Sequence, residues 1–143
     1  MNDFFEFLIE RVQNLHGSLG ISRKDMPQIK EVDIPHFLKR LQMDGISIVD
    51  IELPVNKLKP TQKELNPDRV KEKVNISPKD RKPLIVSNDY FILDGHHQWM
   101  AMRIQDPYQL ASIHLVDVKM DELLRIARTY ERTTFKNING EVE

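Results

Sequence analysis

The stretch Tyr90-Phe91-Ile92-Leu93-Asp94-Gly95-His96-His97-Gln98-Trp99-Met100-Ala101-Met102 decides how this chain is built. Residues 90–93 form a short apolar run of strand type. Asp94-Gly95 breaks the run, and residues 96–105 read as a helix that offers Trp99, Met100, Met102 and Ile104 for packing. The first N–H groups of a helix have no partner inside it. Together with the helix dipole they favour an anion. Gly95 lets the backbone turn sharply and approach a ligand closely. His96 and His97 in the first turn can donate to a phosphate, and add charge when protonated. Asp94 can cap the helix, hold a histidine tautomer or bind a metal. A plainer reading stands beside this one: a common Asp-Gly turn, Asp94 as a cap, and one histidine satisfied in the core. Trp99 reads as a core residue rather than a stacking platform.

Working outward, residues 83–87 form an apolar strand and Asn88-Asp89 a turn, so 84–93 is expected to be a hairpin. Asp106-Pro107 ends the helix. Ile113, Leu115, Val116 and Val118 suggest a further strand, and residues 120–132 a last amphipathic helix. Upstream, Ile46, Ile48, Val49, Ile51 and Leu53 predict a strand stopped by Pro54. Residues 55–65 are a polar loop. Asn66-Pro67 reads as a cap and first-turn proline opening a helix to about Val74. Before these, residues 3–16 and 34–43 read as two helices separated by a polar connector, with Pro35 in the first turn of the second and Gly45 beyond its end. The expected architecture is α/β (α+β mixed): a small mixed sheet with flanking helices, preceded by a two-helix N-terminal cap. The expected division is a helical extension over 1–45 packing on a core over 46–132, and a mobile tail over 133–143.

The bulk numbers fit one domain. The chain has 143 residues, 40% of them hydrophobic and 30% charged. It has no cysteine, which excludes disulfides and thiolate metal sites. No apolar run reaches the roughly 20 residues of a membrane span. The N-terminus lacks the basic flank and cleavage site of a signal peptide, so a cytoplasmic location is expected, in a host cell if the protein is phage-encoded. The net charge of −1 gives no overall basic footprint for duplex DNA. Lys57, Lys59, Lys63, Arg69, Lys71 and Lys73 form a local basic run, most simply a solvated face. No metal ligand set is assigned. The adjacent histidines diverge by about 100° on a helix, unlike the i, i+4 pair that suits zinc. Magnesium carried in with a nucleotide is the more plausible metal.

The pieces 48–53, Leu58-Lys59-Pro60-Thr61-Gln62, 67–74, Lys82-Pro83-Leu84-Ile85-Val86 and 90–99 occur in an order that resembles the ParB/sulfiredoxin superfamily. The resemblance spans 46–126, a little over half the chain. It is nearest to the Asp-Gly-His-His variants that include free-serine kinases and phage proteins. It implies a nucleotide phosphate (ATP, ADP or CTP, with magnesium) seated at Gly95, His96, His97 and Gln98. Lys59, Thr61 and Gln62 of the upstream loop are implied to assist. Members hydrolyse CTP, phosphorylate small molecules, reduce a peroxiredoxin or cut DNA, so fold does not fix function. The departures are informative. Without cysteine the sulfiredoxin reaction is excluded. Gln98 stands where an arginine is usual, which removes a bidentate phosphate ligand. Gln62 stands where the serine kinases have a catalytic glutamate and cannot act as a base. Glu64, two residues on, is the substitute.

Three functions follow as expectations. The first is phosphoester chemistry (nucleotide hydrolysis, phosphoryl transfer or nuclease action). Here His97 and His96 hold the phosphate, Asp94 orients a histidine or a metal, Lys59 or Lys63 neutralises charge, and Glu64 is the base. The second is a DNA- or nucleotide-binding module without turnover. The third is a phage structural or interaction protein that contacts a protein partner through its N-terminal part, with Phe4, Phe5 and the Met26–Ile29 connector as contacts. For those contacts, packing on the core is the simpler reading.

Overall fold

The run Leu84-Ile85-Val86 is apolar at every position because both faces of its strand are covered. In the computed structural model, which describes residues 17–135, Leu84 and Val86 belong to one hydrophobic cluster and Ile85 to another. Between them runs a four-stranded sheet: β1 (Ile48–Pro54), β2 (Leu84–Ser87), β3 (Ile92–Asp94) and β4 (Leu110–Val116), in the order β1-β4-β2-β3. β1 and β4 are antiparallel, from Ile48 opposite Val116 to Pro54 opposite Leu110. β4 and β2 are parallel, and β2 and β3 form the expected hairpin, with a bulge between Ile85 and Val86.

Four α-helices lie among the described residues: α1 (Ile34–Met43), α2 (Pro67–Val74), α3 (His96–Gln105) and α4 (Met120–Thr129). Val70 of α2 and Trp99 to Met102 of α3 share a cluster with Leu84, Val86 and Ile113. On the opposite face Phe37 and Leu41 of α1 and Leu123, Leu124 and Ala127 of α4 pack on Ile85, Leu93 and Val116. The architecture is mixed α/β, as expected.

Local chemistry explains the boundaries. Asn66 Oδ1 accepts from the N–H groups of Asp68 (2.9 Å) and Arg69 (3.4 Å), so it caps α2, with Pro67 in the first turn. At the end of α1, Gly45 N–H donates to Gln42 O (3.0 Å) and Ile46 N–H to Leu41 O (3.0 Å). This closes the helix with Gly45 at φ +84°. Several limits differ from the sequence expectation. β3 covers Ile92–Asp94 rather than 90–93, because Tyr90 sits in the turn at φ +70° and the Phe91 N–H donates to Ser87 Oγ, so Asp94 ends the strand instead of breaking it. β1 starts at Ile48 rather than Ile46. Pro54 is the last residue of β1 rather than the residue that stops it, which is tolerated because β1 is the sheet edge and needs no outward N–H there. β4 covers 110–116 rather than 113–118, because pairing with β1 extends it at its start while the Val118 N–H turns back to Val116 O. α4 ends at Thr129, where the Tyr130 N–H switches to Ala127 O.

The helix expected over 3–16, with its Phe4 and Phe5, lies outside the described residues. The connector before α1 is held down rather than free. Met26 and Ile29, two of the expected partner contacts, are buried in the α1/α4 cluster. Ile21 bridges to Gln62, and Gln28 exchanges backbone hydrogen bonds with Thr134 (2.7 and 2.9 Å), tying 133–135 to the fold. No helix among the described residues is long and apolar enough to cross a membrane.

Candidate functional site

Gly95 is in the left-handed region at φ +103° and links β3 directly to α3. A β-carbon on it would lie 2.3 Å from Leu84 Cδ2. The close approach that glycine permits here is to the protein's own core. Trp99 N–H donates to Gly95 O (2.9 Å), so the N–H groups of His96, His97 and Gln98 precede the first intrahelical bond.

The three side chains of this first turn each receive a backbone N–H from a different segment. His96 Nε2 accepts from Thr61 N–H (3.0 Å) and Gln62 N–H (3.3 Å). His97 Nε2 accepts from Asn66 N–H (3.1 Å). A backbone N–H can only donate, so Nε2 of each ring is unprotonated and the neutral tautomer carries its proton on Nδ1. Gln98 Oε1 accepts from Lys82 N–H (3.2 Å) while its Nε2 donates to Lys82 O (2.7 Å). The motif is thus a hub that fixes the Thr61–Gln62 loop, the start of α2 and the approach to β2.

Electrostatics agree with this bonding. Burial pushes His96 down to about 3. His97 is pushed down to about 2, first by burial and then by the charges of Arg23, Arg69 and Lys73 and by His96. Both rings are neutral at physiological pH. Neither adds charge to a phosphate, and neither Nε2 is open to one.

Around this hub lies a cleft of about 330 Å³. Its walls carry Arg23, Lys30, Arg69, Lys73 and Lys82, five cations against the two carboxylates Glu31 and Asp94. Lys82 Nζ is 3.1 Å from Glu31 Oε1, both side chains largely exposed. Arg23 is buried, and burial and Arg69 lower its affinity for a proton while Glu64 opposes them. Ile29, Ile34, Pro83 and Leu93 supply apolar wall.

The cleft gathers some of the residues expected from sequence and not others. Asp94, Gly95, His96, His97, Gln98 and Gln62 line it. Gln62 Nε2 donates to Glu64 O (3.1 Å), which uses one of its two N–H groups. Thr61 is fully buried and its hydroxyl donates to Ile92 O (2.6 Å). Lys59 bridges to the β3 side at Phe91, with its ammonium 4.3 Å from the centre of that ring, and is not on the cleft wall. Glu64 is not on it either, and its Oε1 accepts from Arg23 N–H (3.1 Å). Of the basic run, only Arg69 and Lys73 reach the cleft. They are four residues apart, on one face of α2. Trp99 is a core residue whose Nε1–H donates to Val55 O (2.9 Å). Sequence reasoning missed Arg23, Lys30 and Lys82. Arg23 and Lys30 sit in an aperiodic connector and Lys82 beside a proline, so no spacing marks them. His114 pairs with Asp50 (2.7 Å) on the β1/β4 face, apart from the cleft. No group of three or more metal-binding side chains gathers among the described residues.

Comparisons of the chain with family models, with curated proteins and with solved structures find no match.

Proposed function

We propose that this chain is a phosphate-binding domain whose cleft seats the phosphate of a nucleotide or nucleic-acid end, and that binding rather than turnover is its principal act. One observation carries this reading. Arg23 of the N-terminal connector and Arg69 and Lys73 of α2 line one cleft with His97 at the start of α3, and all three bear on that ring. Fixed cations and unpaired N–H groups at a helix start attract the same kind of ligand. The reading agrees with the ParB/sulfiredoxin-type resemblance, which we retain as a proposal for the fold, the cytoplasmic location and the phage link.

Catalysis is the second reading, and Asp94 is what favours it. Asp94 ends β3 on the cleft wall. The histidines are too weakly basic to take a proton at neutral pH, and Glu64 is engaged away from the cleft. A hydrolase, phosphotransferase or nuclease built here would use Asp94 as base or to hold magnesium arriving with the nucleotide.

The test is calorimetric titration with inorganic phosphate, pyrophosphate, ATP and CTP, with and without magnesium, at low salt. Binding is expected, weakening steadily as salt rises, and weakening roughly tenfold or more in Arg69→Met, a loss typical of one charge-assisted contact. Product release that disappears in Asp94→Asn would move the assignment to an enzyme. No heat and no rise in melting temperature at millimolar ligand would refute the phosphate reading.

A further inference from the structure

We propose that Lys82 is an exchangeable ligand of the cleft: Gln98 seats it, Glu31 holds it in reserve, and a bound anion takes Glu31's place. The inference rests on the phosphate reading above and adds a built-in competitor to it.

The seat comes first. Both amide atoms of the buried Gln98 side chain are spent on the backbone of Lys82, one as acceptor and one as donor. That fixes where the Lys82 side chain starts, immediately before Pro83 and β2, while its ammonium lies at the surface. Gln98 therefore serves the cleft at one remove. It does not offer the anion a charge; it places one.

The reserve comes second. Glu31 belongs to the 3-10 turn before α1, and Lys82 to the segment before β2. Both line the cleft, and they form an ion pair there. The side chains are 69% and 73% exposed, so the pair is screened by solvent and weak. An anion of two or more charges beside Arg23, Arg69 and Lys73 gains a fourth cation when Lys82 turns from Glu31 to it. A singly charged anion competes less well with the carboxylate. The pair thus acts as a threshold that favours multiply charged ligands.

A double-mutant cycle at Glu31 and Lys82, with pyrophosphate as probe, decides the matter. Glu31→Gln is expected to raise pyrophosphate affinity by about two- to fivefold at low salt, the strength of one exposed pair. In a Lys82→Met background that gain should shrink sharply, since no cation is left to release. An equal gain in both backgrounds is the mark of a long-range field alone and would overturn the exchange. Gln98→Met is expected to lower affinity in the native background and to be nearly silent with Lys82→Met; equal losses in both would mean a general structural role and refute the seat. Gln98→Asn, too short to span both backbone groups, serves if Gln98→Met does not fold. If the native protein binds no pyrophosphate, the phosphate reading and this inference fall together. If it binds, and Arg69→Met weakens it, but the cycle is additive, only the exchange falls.

Discussion

Replacing Gly95 by alanine tests the turn on which the site is built. Two separate costs are expected. The first is backbone strain, because φ +103° lies where a β-carbon is disfavoured, at about 1–2 kcal/mol. The second is steric. The new methyl would sit 2.3 Å from Leu84 Cδ2, so the Leu84 side chain, which is 1% exposed, must shift to admit it. Overpacking of this kind costs about 1–3 kcal/mol. The sum, roughly 2–5 kcal/mol, is a large part of the 5–15 kcal/mol of a typical domain. With a urea slope of about 2 kcal/mol per molar, the midpoint should fall by about 1–2.5 M. Gly45 is an internal control. It also has a positive φ, +84°, but a β-carbon there meets nothing within 4 Å. Gly45→Ala should therefore show the strain alone, about 1–2 kcal/mol. Equal losses at the two glycines, or a Gly95→Ala midpoint within about 0.3 M of the native one, would refute the argument that Leu84 presses on this turn.

Three further predictions are independent of any ligand. His96 and His97 fall from the ordinary histidine value to about 3 and about 2 in the folded state, so the unfolded chain binds more protons below pH 6.5. Their contribution is fully present above that value and is lost as pH falls toward 3. Urea melts at pH 7 and pH 5 should differ by about 2 kcal/mol per histidine, and a flat profile would contradict the bonding assigned to both rings. Asn66→Ala should cost about 1 kcal/mol through the lost cap of α2, read as a lower urea midpoint; no change would mean that the cap contributes nothing. Trp99→Phe removes the 2.9 Å indole bond to Val55 O, which keeps its 3.2 Å bond from Leu58 N–H, and should cost about 0.5–1.5 kcal/mol; a neutral result would argue that the Leu58 N–H suffices.

Much of the scaffold was legible in the residues. The limits of α1, α2 and α3 follow from near-neighbour signals: Pro35 and Gly45, Asn66-Pro67, and Asp94-Gly95. Such signals act within a turn or two of chain, which is why they can be read without a fold. The strand ends were less legible, because β4 starts where β1 pairs with it, and that partner lies far away in sequence.

The site divides in the same way. Residue types alone determined that a glycine turn feeds a helix start carrying His96 and His97, a place that favours an anion. Only the tertiary structure decided what those side chains do. Their partners lie 35, 31 and 16 residues away, at Thr61, Asn66 and Lys82. Those bonds make His96, His97 and Gln98 clamps between distant segments. The cations of the cleft wall, among them Arg23, Arg69, Lys73 and Lys82, come from segments far apart in sequence and meet near the start of α3 only in the folded chain. No local spacing encodes that convergence, since it is set by which backbone N–H groups the folded core leaves for buried acceptors to satisfy.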